Sequence, residues 1–188
     1  MADTKKMIHD AFGIQKMQPN GMGGDAQSAH NYAIAKGVWA GKVMEAVEKQ
    51  DRPLGDLLIM CYAPDWEDVN LKSIERHLWA RFLRKHGDEI KQDRTLMKAK
   101  RMIQIAIFNF QRECQGGAMQ MEFACQMMGI DQSHFYKKDR PWRKWWDSLG
   151  DQLHRWEREA IRKPAEVCQE IISAQHDEEL MECGVASR

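Results

Sequence analysis

The stretch "PWRKWWDSLGDQLHRW", residues 141–156, constrains the fold more than any other: Trp142, Trp145, Trp146, Leu149, Leu153 and Trp156 recur at steps of three and four. That spacing builds one apolar stripe on a long α-helix and cannot serve a strand, whose faces alternate every second residue. Tryptophans in a basic stretch can also stack on unpaired bases. A regular stripe of this kind answers better to burial in a core.

The same period returns along most of the chain. Tyr32, Trp39, Val43 and Val47 define a helix with Ser28 as its cap, and "DRPLGDLLIMCY" defines a second with Asp51 as cap and Pro53 in its first turn, ended by Pro64. "LKSIERHLWARFLRK" puts Leu71, Ile74, Leu78 and Phe82 on one face and Lys72, Arg76, Arg84 and Lys85 elsewhere. "RTLMKAKRMIQIAIFNFQREC" is apolar nearly all round from Ile103 to Phe110, which marks the centre of the core, and Gly116 and Gly117 stop it. No alternating run bounded by turn residues has convincing length, so the expectation is an all-α fold, a helical bundle containing a helix-turn-helix. Four segments are expected: a flexible N-terminal arm at 1–27, a helical domain with basic helices at 28–112, a helix-turn-helix with its Trp-rich helix at 113–163, and an acidic C-terminal helix or tail at 164–188.

Net charge is zero over 188 residues, which by itself argues against a nucleic-acid partner. The zero is an average. Residues 72–112 and 132–163 carry a positive surplus, and the segments around them are acidic. The first of these basic segments, Arg76 through Arg101, suits either a DNA backbone or an acidic protein surface.

The second basic segment follows a pattern with a geometric meaning. A helix-turn-helix needs a small residue where its helices cross, a glycine four positions later, an apolar residue next, and another apolar residue five beyond that. In "MEFACQMMGIDQSHFYKKD" those places hold Cys125, Gly129, Ile130 and Phe135. Met121, Ala124 and Met128 supply the inner face of the first helix. Asp131 or Gln132 can cap the second, with Gln132, Ser133, His134, Tyr136 and Lys137 outward. Gln can bond adenine edges in bidentate fashion, Ser and Tyr reach phosphates, and Lys adds charge. Helical pairs also meet through such turns for packing alone. The cations that follow, Lys137, Lys138, Arg140, Arg143 and Lys144, interrupted only by Asp139, favour DNA over a merely solvated face.

Other chemistries find little support. Cys61, Cys114, Cys125, Cys168 and Cys183 are scattered without a CxxC pair and read as buried thiols in a reducing compartment. His77 with His86, or His134 with Cys125, are too isolated to suggest a metal site, and neither metal nor cofactor is expected. There is no GxxxxGK[ST], HExxH or GxSxG, and the acidic loop of Asp65, Glu67 and Asp68 reads as solvated turns or caps, so no enzyme is expected. The start has no signal-peptide run, and "LLIM" and "IAIF" are far too short to cross a bilayer, which leads to the expectation of a cytoplasmic protein with no membrane partner.

The order "RPLGDLLIMCYAPD", a basic helical stretch, then "FACQMMGIDQSHFYKKDRPWRKWWDSL" resembles the Q-type late-gene antitermination proteins of lambdoid bacteriophages, over roughly residues 29–160. The resemblance implies an all-helical protein that binds double-stranded DNA near a late promoter and engages paused host RNA polymerase, with or without its sigma factor, in the bacterial cytoplasm. It gives the DNA-contacting role to Gln132, Ser133, His134, Tyr136 and Lys137, and polymerase contact to the basic helices or acidic tail. Some members carry paired CxxC zinc motifs. This chain has none and resembles the zinc-free members. A phage repressor, a DNA-packaging recognition protein of small-terminase type, and a helical adaptor that binds no DNA are the alternatives. No heptad seam specifies an oligomeric state.

Overall fold

A computed structural model describes residues 2–14 and 26–185. Among these residues every regular element is a helix: α1 (Ala2–Ile14), α2 (Ala26–Glu48), α3 (Leu54–Tyr62), α4 (Asp68–His86), α5 (Asp93–Cys114), α6 (Met121–Met128), α7 (Gln132–Phe135), α8 (Trp142–Ala160) and α9 (Arg162–Val185), with one 3₁₀ turn at Gly87–Glu89. The fold is all-α, as the periodicity requires.

The chain divides into two compact units. One comprises residues 1–50, 62–64 and 160–188, the other residues 51–61 and 65–159. In the first, α1, α2 and α9 pack together around Ile8, Ala11 and Phe12 of α1, Val43, Met44 and Val47 of α2, and Cys168 of α9. The expectation of an arm without ordered structure over residues 1–27 is therefore corrected for residues 2–14. Ile8, Ala11 and Phe12 fall at helical steps, a pattern of scarcely more than one turn that the glycine-rich sequence after it obscures. Of the rest of that expected arm, residues 1 and 15–25 lie outside the described residues, and Ala26 and Gln27 open α2. Two boundaries also move. α2 starts at Ala26, so Ser28 lies inside it rather than capping it, and Pro53 sits just before α3 rather than within its first turn.

The second unit holds α3 to α8. α4 starts with a capping box in which the Glu67 side chain accepts from the Asn70 backbone N–H, while the Glu67 N–H donates to Asn70 Oδ1 at 3.0 Å. Asn70 Nδ2 also donates to the buried Asp56 Oδ1 at 2.9 Å, so one buried amide ties α3 to α4. Glu67 in the acidic loop is thus a cap. α5 contributes Met102, Ile103, Ile105, Ala106, Ile107 and Phe110 to the core, and Gln111 donates to the Met60 carbonyl at 2.9 Å. It ends on Gly116 at φ 87, where the Gly117 N–H reaches back to the Arg112 carbonyl at 2.9 Å.

α8 buries the stripe that the sequence marks. Trp145, Leu149, Leu153 and Trp156 are buried, and Trp142 and Trp146 are half-buried. Trp145 packs edge-on against Phe82 of α4, with centroids 5.2 Å apart, and Trp146 meets Phe135 of α7 at 6.4 Å. No described helix is long and apolar enough to cross a membrane.

Candidate nucleic-acid interface

α6 presents Ala124, Cys125 and Met128 to the core and ends at Gly129, whose φ of 66° and ψ of 35° are left-handed. The Gly129 N–H donates to Gln126 O and the Ile130 N–H to Cys125 O, both at 3.0 Å, which closes the helix end with the paired bonds of a Schellman motif. Ile130 then turns inward, and burial raises the Cys125 thiol above its usual range, with the Asp131 charge adding to the effect. Cys125, Ile130 and Phe135 are buried and Gly129 is left-handed, an arrangement compatible with the helix-turn-helix spacing.

Asp131, and not Gln132, is the cap of the next helix. Its carboxylate accepts from the Ser133 hydroxyl and from the Ser133 N–H at 2.8 Å, and those bonds hold the Asp131 carboxyl below the ordinary range. The helix it caps, α7, is one turn long. Phe135 is 1 % exposed and anchors it, while Gln132, Ser133, His134, Tyr136, Lys137, Lys138 and Arg140 are exposed. The shortness has a local cause. After Phe135 the sequence Tyr-Lys-Lys-Asp-Arg offers no side chain to the core, and Pro141 steers Arg140 away from helical backbone. The chain turns at 137–140 and starts again at Trp142.

The expected contact residues are not equally free. Ser133 is engaged by Asp131. Arg143 stacks over the Tyr136 ring at 5.6 Å and lies 3.7 Å from Asp147, and Arg140 lies 3.8 Å from Asp139. Lys144 donates to Glu89 Oε1 at 2.9 Å. Gln132, Lys137 and Lys138 stand clear, without a hydrogen bond or ion pair from their side chains among the described residues.

Glu89 is the hub behind this surface. The buried His86 Nδ1 lies 3.0 Å from Glu89 Oε1 and the Trp145 indole N–H donates to Oε2 at 3.1 Å. The His86 bond above all, then those from Lys144 and Trp145, lower the Glu89 carboxyl to about 2 against the opposing effect of burial. An ionised Glu89 accepts from a proton on His86 Nδ1; on the other side of the ring Nε2 lies 3.4 Å from Ser148 Oγ, to which Lys85 donates at 2.8 Å.

Two cations that the helix-turn-helix spacing does not include join the surface. Lys98 of α5 lies over the Trp142 ring at 5.9 Å, and a Cβ placed on Gly129 would meet Arg101 Nη1 at 3.8 Å. Their separation of three residues on one helix face is the signal that the sequence held. The α4 part of the first basic segment goes elsewhere: Arg81, Arg84 and Lys85 line a cleft of ≈ 610 Å³ with Arg155 and Asp151 of α8. Among the described residues no three His, Cys, Asp or Glu side chains come together as metal ligands.

A family described as phage antitermination protein Q matches residues 32–181, which takes in α6, α7 and α8 whole. The chain belongs to that family. No curated protein and no solved structure matches it. Membership of the phage antitermination protein Q family makes its role regulatory, in transcription antitermination, and not catalytic.

Proposed function

We propose that this antitermination protein acts by holding two partners at once: duplex DNA, through the Gly129 turn and the residues after it, and the host RNA polymerase, through a second surface. The observation that carries the DNA half is the exposed set Gln132, His134, Tyr136, Lys137 and Lys138 on a capped turn pinned by the buried Phe135. Lys98 and Arg101 add charge from α5 beside it. With α7 a single turn long, base contacts fall to Gln132 and His134. Lys137, Lys138, Arg140 and Arg143 serve the phosphates, with Ser133 and Lys144 holding the turn and the start of α8 in register.

The basic cleft between α4 and α8 suits an acidic protein surface, which supports polymerase as the second partner. Two modest affinities at one promoter then combine through effective concentration. A net charge of zero keeps nonspecific capture by the rest of the genome low.

The experiment is binding to promoter-proximal DNA across a salt series, with the variant Gln132→Ala/Tyr136→Ala/Lys137→Ala, followed by capture of host polymerase with and without that DNA. The triple variant is expected to keep its fold and lose specific binding. Wild-type affinity should fall at least about tenfold from 50 to 200 mM salt, as for a few phosphate contacts. Affinity indifferent to salt would overturn the DNA reading, and DNA binding without polymerase capture would favour a repressor or packaging protein.

A further inference from the structure

α4 and α5 pack side by side and leave between them a groove of ≈ 360 Å³. Lys72, Glu75, Arg76 and Trp79 line it from α4, at the three- and four-residue steps of one helix face, and Lys100 and Gln104 line it from α5. Lys100 is two residues from Lys98, about 200° around the helix. The groove therefore lies on a different flank of α5 from the one that carries Lys98 and Arg101 to the Gly129 turn.

Its composition is unusual for a packing defect. Trp79 is half-buried and is backed by Phe82 in a nearly parallel stack, with centroids 5.8 Å apart and planes 16° from coplanar, so the indole is a braced platform. The Lys100 ammonium lies 5.7 Å from its centroid. Lys72, Arg76 and Lys100 form no ion pair among the described residues, although Glu75 lines the same groove. Glu75 Oε1 is buried without any hydrogen-bond partner. An unmet acceptor of that kind is costly, and a ligand that brings a donor relieves it once the Glu75 side chain turns outward into the groove.

These features narrow the ligand. A simple anion would gain from the three cations but would be repelled by Glu75 and would make no use of Trp79. An apolar peptide would meet too many charges. Duplex DNA keeps its base faces stacked on one another. An unpaired nucleotide uses every part: its base takes the place of the Lys100 ammonium over the indole, Lys100 moves with Arg76 to the phosphate, and the base N–H groups face the carboxylate. Guanine fits best, because its N1–H and N2–H are adjacent donors matched to the two oxygens of one carboxylate. Each other base sets a carbonyl or ring-nitrogen acceptor beside its donor.

We propose that the α4–α5 groove is a site for a single unpaired guanine nucleotide within single-stranded nucleic acid, stacked on Trp79 and held at its Watson–Crick edge by Glu75. The site does not depend on the duplex-DNA reading of the Gly129 turn.

The test uses the full-length chain with labelled indole nitrogens, the Trp79 resonance being assigned through Trp79→Phe. Heptamers with a central guanine in a uridine or thymidine tract are titrated beside the same tracts without it. The guanine heptamers are expected to shift the Trp79 resonance and to bind about tenfold tighter. Glu75→Gln should remove most of that preference while the plain tracts bind as before. The paired variant Arg76→Ala/Lys100→Ala should weaken all four ligands about equally. The RNA and DNA arms identify the source, since a preference for one assigns that strand and equal affinity assigns recognition without the 2′-hydroxyl. A Trp79 resonance unmoved by millimolar heptamer would overturn the proposal, as would a guanine preference that survives Glu75→Gln. The Gln132→Ala/Tyr136→Ala/Lys137→Ala variant should bind guanine heptamers unchanged; loss there would place the signal on the other surface and end the case for the groove.

Discussion

Glu89 shows how one side chain can govern the stance of a surface it does not itself form. Its two oxygens hold the buried His86 ring, the buried Trp145 indole and the Lys144 ammonium at the start of α8. Glu89→Ala would leave the His86 and Trp145 donors without an acceptor, and we expect a loss of about 1–3 kcal/mol in urea denaturation, moderated by the water that the partly exposed position admits. The pH dependence has a definite sign. A carboxyl lowered on folding from 4.5 to about 2 stabilises the folded state above the higher value, and that contribution disappears as pH falls toward the lower one. Stability should therefore decline between about pH 4.5 and 2 in the wild type, and decline less steeply over that window in Glu89→Gln, which cannot titrate. Parallel denaturation midpoints for the two proteins across the window would contradict this role.

At the scale of elements, α6, its turn and α8 were legible in the sequence because each depends on local rules: three- and four-residue apolar steps, a left-handed glycine, a carboxylate cap. α1 was not, because its three core residues span little more than one turn and the composition after it dominates the reading. The brevity of α7 was hidden in a negative feature, the lack of any apolar residue between Phe135 and Trp142. The approach of Lys98 to Trp142 is tertiary and no local rule gives it. The turn also yields two contrasting predictions. Gly129→Ala places an L-residue at φ 66, while its Cβ would meet Arg101 only at an ordinary 3.8 Å, so the cost is conformational and should be about 1–2 kcal/mol in denaturation midpoints. Phe135→Ala removes the sole buried anchor of α7 and should cost about 3–5 kcal/mol, with DNA binding lost alongside stability. If Phe135→Ala were as stable as the wild type, α7 would not be held as described.

At the scale of the molecule, the chain path itself makes a testable claim. The second unit takes residues 51–61 and 65–159, an almost continuous stretch between the two long segments of the first. The bonds that organise it close inside it: Asn70 to Asp56, Gln111 to Met60, His86 and Trp145 to Glu89, and Lys85 to Ser148. Its apolar centre includes Leu57, Ile74, Phe82, Met102, Phe110, Phe135 and Trp145, all buried. A stretch of about 110 residues is also large enough for a self-sufficient core. A fragment of residues 51–159 should accordingly melt in one cooperative transition, keep its helical circular dichroism, and bind DNA with the salt slope of the whole protein. The first unit would then not be needed for the integrity of the proposed DNA-contacting surface. A fragment that kept its helical signal but melted without cooperativity and bound a hydrophobic dye would show the opposite: that residues 1–50 and 160–188 are needed to fix the packing of the unit that carries both the turn and the Trp79 groove.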